Sequence, residues 1–270
     1  MGMRSLVKVG VSLLMLAILL IGISYTMLRA QGVANPSSTA GRVTRTETRE
    51  IGHGIRVVDL AGPIDLTVRQ GPVPSLKVRG EQRLLGNVAA SQDGDTLRIG
   101  TTGMLFHHRR PLQVELVLPS LSEVQVRGNG DSTVTGFSGE RLKIGLNGSG
   151  NLSFQGRYRN VNAAVRGSGD LDLKSGNSDE VELEVVGSGT IASSGSCRKM
   201  AAEISGSGSV DAQHMASDDA VIKIQGSGSA QAFARKSATV SLAGSGDATV
   251  YGNPDQRVVS RTGSGSVDFE

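Results

Sequence analysis

The chain has 270 residues, a formal net charge of +3, and an aromatic content of 3% with no tryptophan. No cluster of Lys and Arg lies beside aromatic residues, so we do not expect the protein to bind nucleic acid. With so few aromatic side chains, the core must be built from Val, Ile, Leu and Ala in thin layers.

The N-terminal segment has the features of a targeting sequence. Arg4 and Lys8 precede an apolar run, and the 20 residues 9–28 carry no charge. That length is enough to cross a bilayer once. We interpret residues 1–30 as a signal peptide or an N-terminal membrane anchor helix, and we favour the uncleaved anchor because Leu28 would be a poor minus-three residue for a cut after Ala30. Either outcome exports the body to the periplasm or cell envelope, and a retained segment would contact the membrane through residues 9–28.

Two regions of different character follow this segment. Residues 31–49 are predicted to form a flexible linker, because runs such as Asn35-Pro36-Ser37 rarely pack. Residues 50–122 contain alternating apolar and polar residues, as in Ile64–Val68 and Leu112–Leu118, and this pattern indicates β-strands. We expect residues 50–122 to form irregular β coils and a cap over one end of the structure.

Residues 123–270 form a repeat with intervals of 18 to 20 residues. The tripeptide Gly-Ser-Gly, or once Gly-Asn-Gly, begins at Gly128, Gly148, Gly167, Gly187, Gly206, Gly226, Gly244 and Gly263. Apolar and polar residues alternate on both sides of each tripeptide, as at Val124 and Val126 before the first one. A period of two indicates strands, and the even spacing indicates stacked coils.

The glycines of the tripeptides are predicted to form the corners of the coils, because a sharp bend needs positive φ or a close backbone approach. The second glycines of the eight corners are Gly130, Gly150, Gly169, Gly189, Gly208, Gly228, Gly246 and Gly265. We therefore predict a single-stranded right-handed parallel β-helix, a solenoid with coils of about 19–20 residues, in which residues 50–270 form one domain. An immunoglobulin-like sandwich is the alternative all-β fold, but it gives no reason for identical corners.

The chain resembles the head GIN domain of auto-transporter adhesins. The resemblance rests on Ile64–Val68, Gly94–Ile99, Leu118–Leu121 and the Gly-Ser-Gly corners, for example Gly167–Leu173, and covers roughly residues 50–270. It implies a secreted or envelope-attached β-helical protein. It implies no catalytic residues.

Polar residues beside the corners form a candidate surface strip, consisting of Arg127, Asp131, Asn151, Arg166, Asp170 and Asp172. Its carboxylates are of the type that binds calcium, and its arginines could hold an acidic sugar. We favour a solvated face in which Arg127 pairs with Asp131 and Arg166 with Asp170. We expect no metal and no cofactor.

Residues suited to catalysis are sparse. His53, His107, His108 and His214 have no metal-binding or nucleophile-activating spacing, and the middle two lie in what we expect to be a solvated basic loop. Cys197 is the only cysteine and is expected to be an inert thiol. Glycoside hydrolysis needs two carboxylates across a sugar, usually in a cleft with aromatic platforms, so we do not expect an enzyme.

The leading hypothesis is a non-catalytic, exported envelope protein that presents the faces of a β-helix to a glycan or protein ligand, adhesin-like in role. The alternatives are a carbohydrate-active enzyme on the same scaffold, and a structural spacer or sensor partner in the envelope. At the C-terminal coil we favour self-capping, with Arg261 and Asp268 as outward charges, over contact with a partner, including self-association.

Overall fold

A computed structural model of the chain describes Met15 and residues 43–102 and 111–270. Apart from Met15, the predicted signal or anchor lies outside these residues, as do residues 31–42 of the predicted linker. No helix in the described part has the length and apolar character needed to cross a bilayer. Contacts divide the chain after Val43, and Thr44–Glu270 forms one compact unit.

The compact unit is a β-solenoid of about seven turns with almost no helix. Its first part contains β1 (Thr44–Arg49), β2 (Val57–Ala61), β3 (Ile64–Gln70), β4 (Ser75–Glu81), α1 (Gln82–Leu85), β5 (Val88–Asp93), β6 (Thr96–Thr101) and β7 (Leu112–Leu118). Its second part contains β8 (Glu123–Gly128), β9 (Ser132–Gly148), β10 (Asn151–Gly167), β11 (Asp170–Gly187), β12 (Thr190–Gly206), β13 (Ser209–Gly226), β14 (Ser229–Gly244), β15 (Asp247–Tyr251), β16 (Gln256–Gly263) and β17 (Ser266–Phe269).

Successive coils of the second part pair in parallel with corner aligned on corner. Gly148 aligns with Gly128 on one side and with Gly167 on the other, and the same register continues along the stack. The strands β9 to β14 are 16 to 18 residues long, so each coil is almost one continuous strand that is interrupted only at its tripeptide. The predicted stacked coils are therefore confirmed.

The polar segment 174–179 does not form a loop between coils. These residues lie within β11, and Gly176, Asn177 and Ser178 pair with the next coil. A bulge after Lys174 and the positive φ of Gly176 (+72°) bend the strand without taking it out of the ladder. Each coil thus has a second corner on its far side.

Burial follows the predicted alternation. The residues four places before each corner are at most 3% exposed from the first coil to the seventh, namely Val124, Ile144, Ala163, Leu183, Ala202, Ile222 and Val240. One polar ring is accommodated inside: the Tyr158 hydroxyl donates to the Leu121 carbonyl at 2.6 Å. Stacking the coils therefore produces one continuous apolar core along the solenoid.

The first coils do not follow the order of the sequence. The β2–β3 coil lies between the β6–β7 coil and the β8–β9 coil, and it pairs in parallel with both. After β3 the chain continues to the end of the stack, where β4 pairs antiparallel with β7 and β5 pairs antiparallel with β6. Two strands of opposite direction thus cover the outer edges of the terminal coil.

The outermost strand at this end is β1, which pairs antiparallel with β4. It occupies residues 44–49, which were predicted to belong to the flexible linker, and its pairing is reinforced by Arg49. The Nη2 atom of Arg49 donates to the Leu85 carbonyl at 2.8 Å, and its Nη1 donates to Val88. Leu84 and Leu85 of α1 are buried, so the short helix closes this end of the core.

At the opposite end of the stack, Arg261 lies in a row that faces the core in the preceding coil. This residue aligns with the buried Leu242 and not with an outward position. Its Nη1 donates to the Gly265 carbonyl at 3.0 Å, because the open end leaves that acceptor within reach of the long side chain. Arg261 and Asp268 are both exposed. Both predicted positions therefore carry a charge that reaches solvent, although Arg261 does so from the row that faces the core in the preceding coil.

We expect a single methyl group at a corner to be strongly destabilising. Gly187 has a φ of +119°, and a Cβ atom there would lie 2.5 Å from the Gly167 carbonyl oxygen. Replacing Gly187 with Ala should lower the free energy of unfolding by at least ~2 kcal/mol, measured by denaturant titration. Ser188→Ala, at the exposed centre of the same corner, is the matched control and should change little. Equal stability of the two variants would contradict the role assigned to the corner.

Candidate functional site

Two rows of outward side chains run along the solenoid beside the corners. The row before the corner contains Arg127, Asn147 and Arg166, which align across three coils. The row after the corner contains Asn151 and Asp170, followed by Thr190, Ser209, Ser229, Asp247 and Ser266. Asp131 joins this second row, because Asn151 Nδ2 donates to its Oδ1 at 2.9 Å. The structure therefore aligns the predicted strip residues along these rows, with Asp172 two residues beyond Asp170.

The two arginines pair with carboxylates other than those predicted. Arg127 Nη2 lies 2.6 Å from both carboxylate oxygens of Asp59 on β2. Arg166 Nη2 lies 3.0 and 2.7 Å from those of Glu184 on β11. The bend at Gly-x-Gly separates each arginine from the Asp that follows it, so the diagonal carboxylate of the adjacent coil on the same face becomes the partner.

The acidic residues of the strip do not converge. In residues 43–102 and 111–270, no group of three or more His, Cys, Asp or Glu side chains is placed to hold a metal ion. Asp131 accepts from Asn151, and Asp172 forms an ion pair with Lys174 at 3.2 Å. Because the coils stack in register, the carboxylates are spread along the row and are separated by hydroxyl and amide groups.

A groove that the sequence analysis missed lies at the second corner and crosses three coils. Its volume is about 720 Å³, and we call it the second-corner groove. It is lined by Thr135, Gly136, Phe137 and Ser138 of β9, Gln155, Gly156 and Arg157 of β10, and Lys174 and Gly176 of β11. The base of the groove is formed by glycines, which have no side chain to fill it. At Gly156 there is also no room for one, because a Cβ atom would lie 2.6 Å from the Phe137 carbonyl oxygen.

The rim of the second-corner groove carries donors and positive charge. Arg157 and Lys174 are exposed, and Gln155 adds an amide. Such groups can bind hydroxyl and carboxylate groups of a ligand through charge-assisted hydrogen bonds. The signal for this site was present in the sequence, since Gly136, Gly156, Gly176 and Gly195 recur at intervals of 20, 20 and 19 residues.

A shallow pocket of about 300 Å³ lies on the strand segments that precede the Gly-x-Gly corners, and it is rich in glutamate. Glu182, Glu184 and Glu203 line it. Glu182 accepts from Asn162 Nδ2 at 2.7 Å, and the Glu184 side chain is 42% exposed beside Arg166. The three carboxylates stand on one face of two adjacent strands, because Glu184 aligns with Glu203. They therefore do not flank a sugar from opposite sides, as glycoside hydrolysis requires.

The histidines and the cysteine do not form a catalytic group in the described residues. His53 precedes β2 near the capped end, His214 lies on β13, and His107 and His108 fall outside the described residues. Cys197 is buried within β12. Burial, and secondarily the negative charge of Asp218, raises the pKa of its thiol to about 12. The thiol is therefore protonated near neutral pH.

Comparison with known proteins links this architecture to one family. A family model described as "Putative auto-transporter adhesin, head GIN domain" matches residues 56–254. No curated protein matches the chain.

Solved structures share the fold. A protein described as a putative adhesin from Parabacteroides distasonis has a TM-score of 0.78 and 20% identity, covering 86% of this chain and 98% of its own. One described as a putative adhesin from Parabacteroides merdae has a TM-score of 0.77 and 22% identity, covering 84% and 96%. A third, described as a putative lipid binding protein from Parabacteroides distasonis, has a TM-score of 0.75 and 20% identity, covering 84% and 96%. At these identities the likeness concerns the fold alone.

We expect Cys197 to resist thiol reagents until the solenoid unfolds. Its raised pKa and its burial should slow labelling more than about 100-fold relative to an exposed cysteine. Arg198→Cys in a Cys197→Ser background provides that comparison, because the Arg198 side chain is 73% exposed. Similar labelling rates for the two thiols under native conditions would contradict the burial of Cys197 in the folded solenoid.

Asp247 should make the attachment of β17 dependent on pH. The Ser266 hydroxyl and N–H donate to Asp247 Oδ1 at 2.8 and 3.0 Å, and these bonds hold the pKa of the carboxyl below its usual value. A lowered folded-state pKa contributes stability above the unfolded-state pKa, and this contribution is lost as the pH falls through the folded-state pKa.

We therefore expect Asp247→Asn to accelerate amide exchange in β17 at neutral pH and to have little effect in acid. Asp170→Asn, in the same row of side chains, is the control and should leave β17 unchanged. An effect of Asp247→Asn that persists unchanged in acid would contradict this assignment.

Proposed function

Because the chain belongs to the head GIN domain family of auto-transporter adhesins, we propose that it is a non-catalytic, adhesin-like module of the cell envelope that binds an extended ligand along the outside of its solenoid. The observation that carries this proposal is the alignment of outward side chains across successive coils. Membership of an adhesin-like family implies an exported or cell-surface protein. Attachment to the membrane through residues 9–28 is part of the proposal.

The spacing of the coils favours a polymeric ligand. Parallel strands lie about 4.8 Å apart, so equivalent side chains repeat at that interval along the solenoid. A ligand with its own repeat can contact several coils at once, which is how solenoids generally use their extended faces. The second-corner groove crosses three coils and so offers about 10 Å of continuous contact.

The lining of the second-corner groove favours an acidic polysaccharide. Arg157 and Lys174 supply positive charge, while Thr135, Ser138 and Gln155 supply groups that hydrogen-bond hydroxyls. One structural neighbour is described as a putative lipid binding protein. The polar rim of this groove suits a glycan better than an acyl chain.

The glutamate pocket supports binding in preference to hydrolysis. A glycosidase acid is a carboxyl kept protonated by an apolar pocket, whereas Glu184 is 42% exposed and forms an ion pair with Arg166. The carboxylates also share one flat face. This arrangement stabilises a solvated surface. It does not place an acid on one side of a sugar's scissile bond and a nucleophile on the other.

We expect the full-length chain to bind acidic glycans on an array, and to bind neutral ones weakly. Arg157→Ala and Lys174→Ala should each weaken binding about tenfold, the effect of losing one charge-assisted hydrogen bond. Lys199→Ala is the matched control, since it removes the same charge from an exposed ion pair with Glu180 outside the groove. Unchanged binding by the two groove variants, or no binding to any glycan, would contradict the proposal. Release of new reducing ends from a bound glycan would instead identify an enzyme.

A further inference from the structure

The two ends of the solenoid are built differently. At the end that holds β6 and β7, antiparallel strands and α1 cover the edges, and the outermost strand, β1, has the polar sequence TRTETR. At the other end, β16 pairs only with β14 and β17 only with β15 among the strands described. The outer edges of β16 and β17 therefore carry backbone N–H and C=O groups without a strand partner. Such edges are templates for pairing with another chain.

Apolar side chains are also exposed at this second end. Val259 occupies the inward row in which Val240 and Ile222 are 0% exposed, yet Val259 itself is 46% exposed. Val267 and Phe269 are partly buried and pack against the end of the core. The last coil thus leaves the final layer of the core in contact with solvent.

Two arginines cover only part of that layer. The Arg257 guanidinium lies 4.7 Å from the centre of the Phe269 ring, and Arg261 reaches the Gly265 carbonyl. Both side chains fold over the end of the coil from β16. Val259 remains exposed between them, so the surface is apolar at its centre and positively charged along one arm.

We propose that this end is an interface between two copies of the chain, related by a twofold axis through the corner Gly263–Gly265. The strand β16 runs towards this corner and β17 runs away from it, so the axis would place β16 antiparallel to β17 of the partner. Val259 and Phe269 are each five residues from Ser264. The symmetry therefore brings the Val259 side chain of each copy opposite Phe269 of the other and pairs the free edges in a self-complementary interface.

The distribution of charge favours this axis over one that would pair β16 with β16 of the partner. The β16 arm carries Arg257 and Arg261, whereas the β17 arm carries Asp268 and is followed by Glu270. A twofold axis through the corner sets the arm that carries the two arginines against an arm of the partner that contains no basic residue. An axis that paired β16 with β16 would bring four arginines together, and like charges at an interface disfavour association.

Cysteine cross-linking of the full-length chain tests the geometry. Ser260 and Asp268 are each four residues from Ser264, so the interface places Ser260 of one copy opposite Asp268 of the other. In a Cys197→Ser background, a mixture of Ser260→Cys and Asp268→Cys chains should form a disulfide-linked dimer on mild oxidation. Each variant alone should form far less, because its two cysteines would lie on opposite arms.

The matched control replaces Ser241, which aligns with Ser260 one coil further inside and is also exposed. A mixture of Ser241→Cys and Asp268→Cys chains should not cross-link. Failure of the Ser260–Asp268 pair to link, or equal linking by the control pair, would overturn the proposal.

Sedimentation of the full-length chain provides the second test. The wild-type chain should form a dimer, and Val259→Lys should shift it to the monomer, because the new charge would enter the apolar centre of the interface. Val258→Lys is the control: Val258 is 58% exposed but lies on the outward face, so the dimer should persist. Melting temperatures close to wild type would show that both variants fold. A monomeric wild-type chain, or a dimer that Val259→Lys leaves intact, would overturn the proposal. It would indicate that the two arginines prevent pairing at this end or that a different molecule binds there.

Discussion

Close backbone contact at the Gly-x-Gly corners is the constraint on which the rest of the solenoid depends. At Gly206 a Cβ atom would lie 2.5 Å from the Gly187 carbonyl oxygen, and the N–H of Ser207 donates to that same oxygen at 2.9 Å. Because each corner must rest directly on the preceding one, neighbouring coils have a single register. A slip of one residue would turn every inward side chain outward, so the corners also determine which residues form the core.

The same register determines the chemistry of the surface. Outward residues align in rows, and their partners lie one coil away, as for Arg166 with Glu184 and Asn151 with Asp131. Carboxylates within a row alternate with hydroxyl and amide groups, which favours hydrogen-bonded ladders over a convergent metal or acid–base site. Where glycine recurs at the second corner, the side chains are removed and the flat face becomes a groove. In a fold of this kind, ligand binding is localised where the regular pattern of side chains is interrupted.

The ends of a solenoid pose a separate physical problem, since the strand at each end has a free edge and the core has an uncovered layer. At the β1 end the chain solves both, because β4 and β5 pair with the terminal coil and Arg49 holds the outermost strand against α1. At the β16 and β17 end, the two arginines lie over the last layer without covering Val259. This asymmetry gives the two ends different capacities for association.

The sequence by itself determined the coils from Gly128 to Gly263, because a strict spacing of glycines and a period of two each leave only one local conformation that buries the apolar residues. It did not determine which distant segments meet. The β2–β3 coil is inserted between β6–β7 and β8–β9, and Arg127 pairs with Asp59, 68 residues away, because of that insertion. Bulges at Gln155 and Lys174 shift the second corner within each coil, so its glycines were not recognised beside the regular tripeptides. Local periodicity specifies how a coil stacks on its neighbour, whereas the choice of neighbour at the irregular end depends on burial of the whole core, which only the tertiary structure reveals.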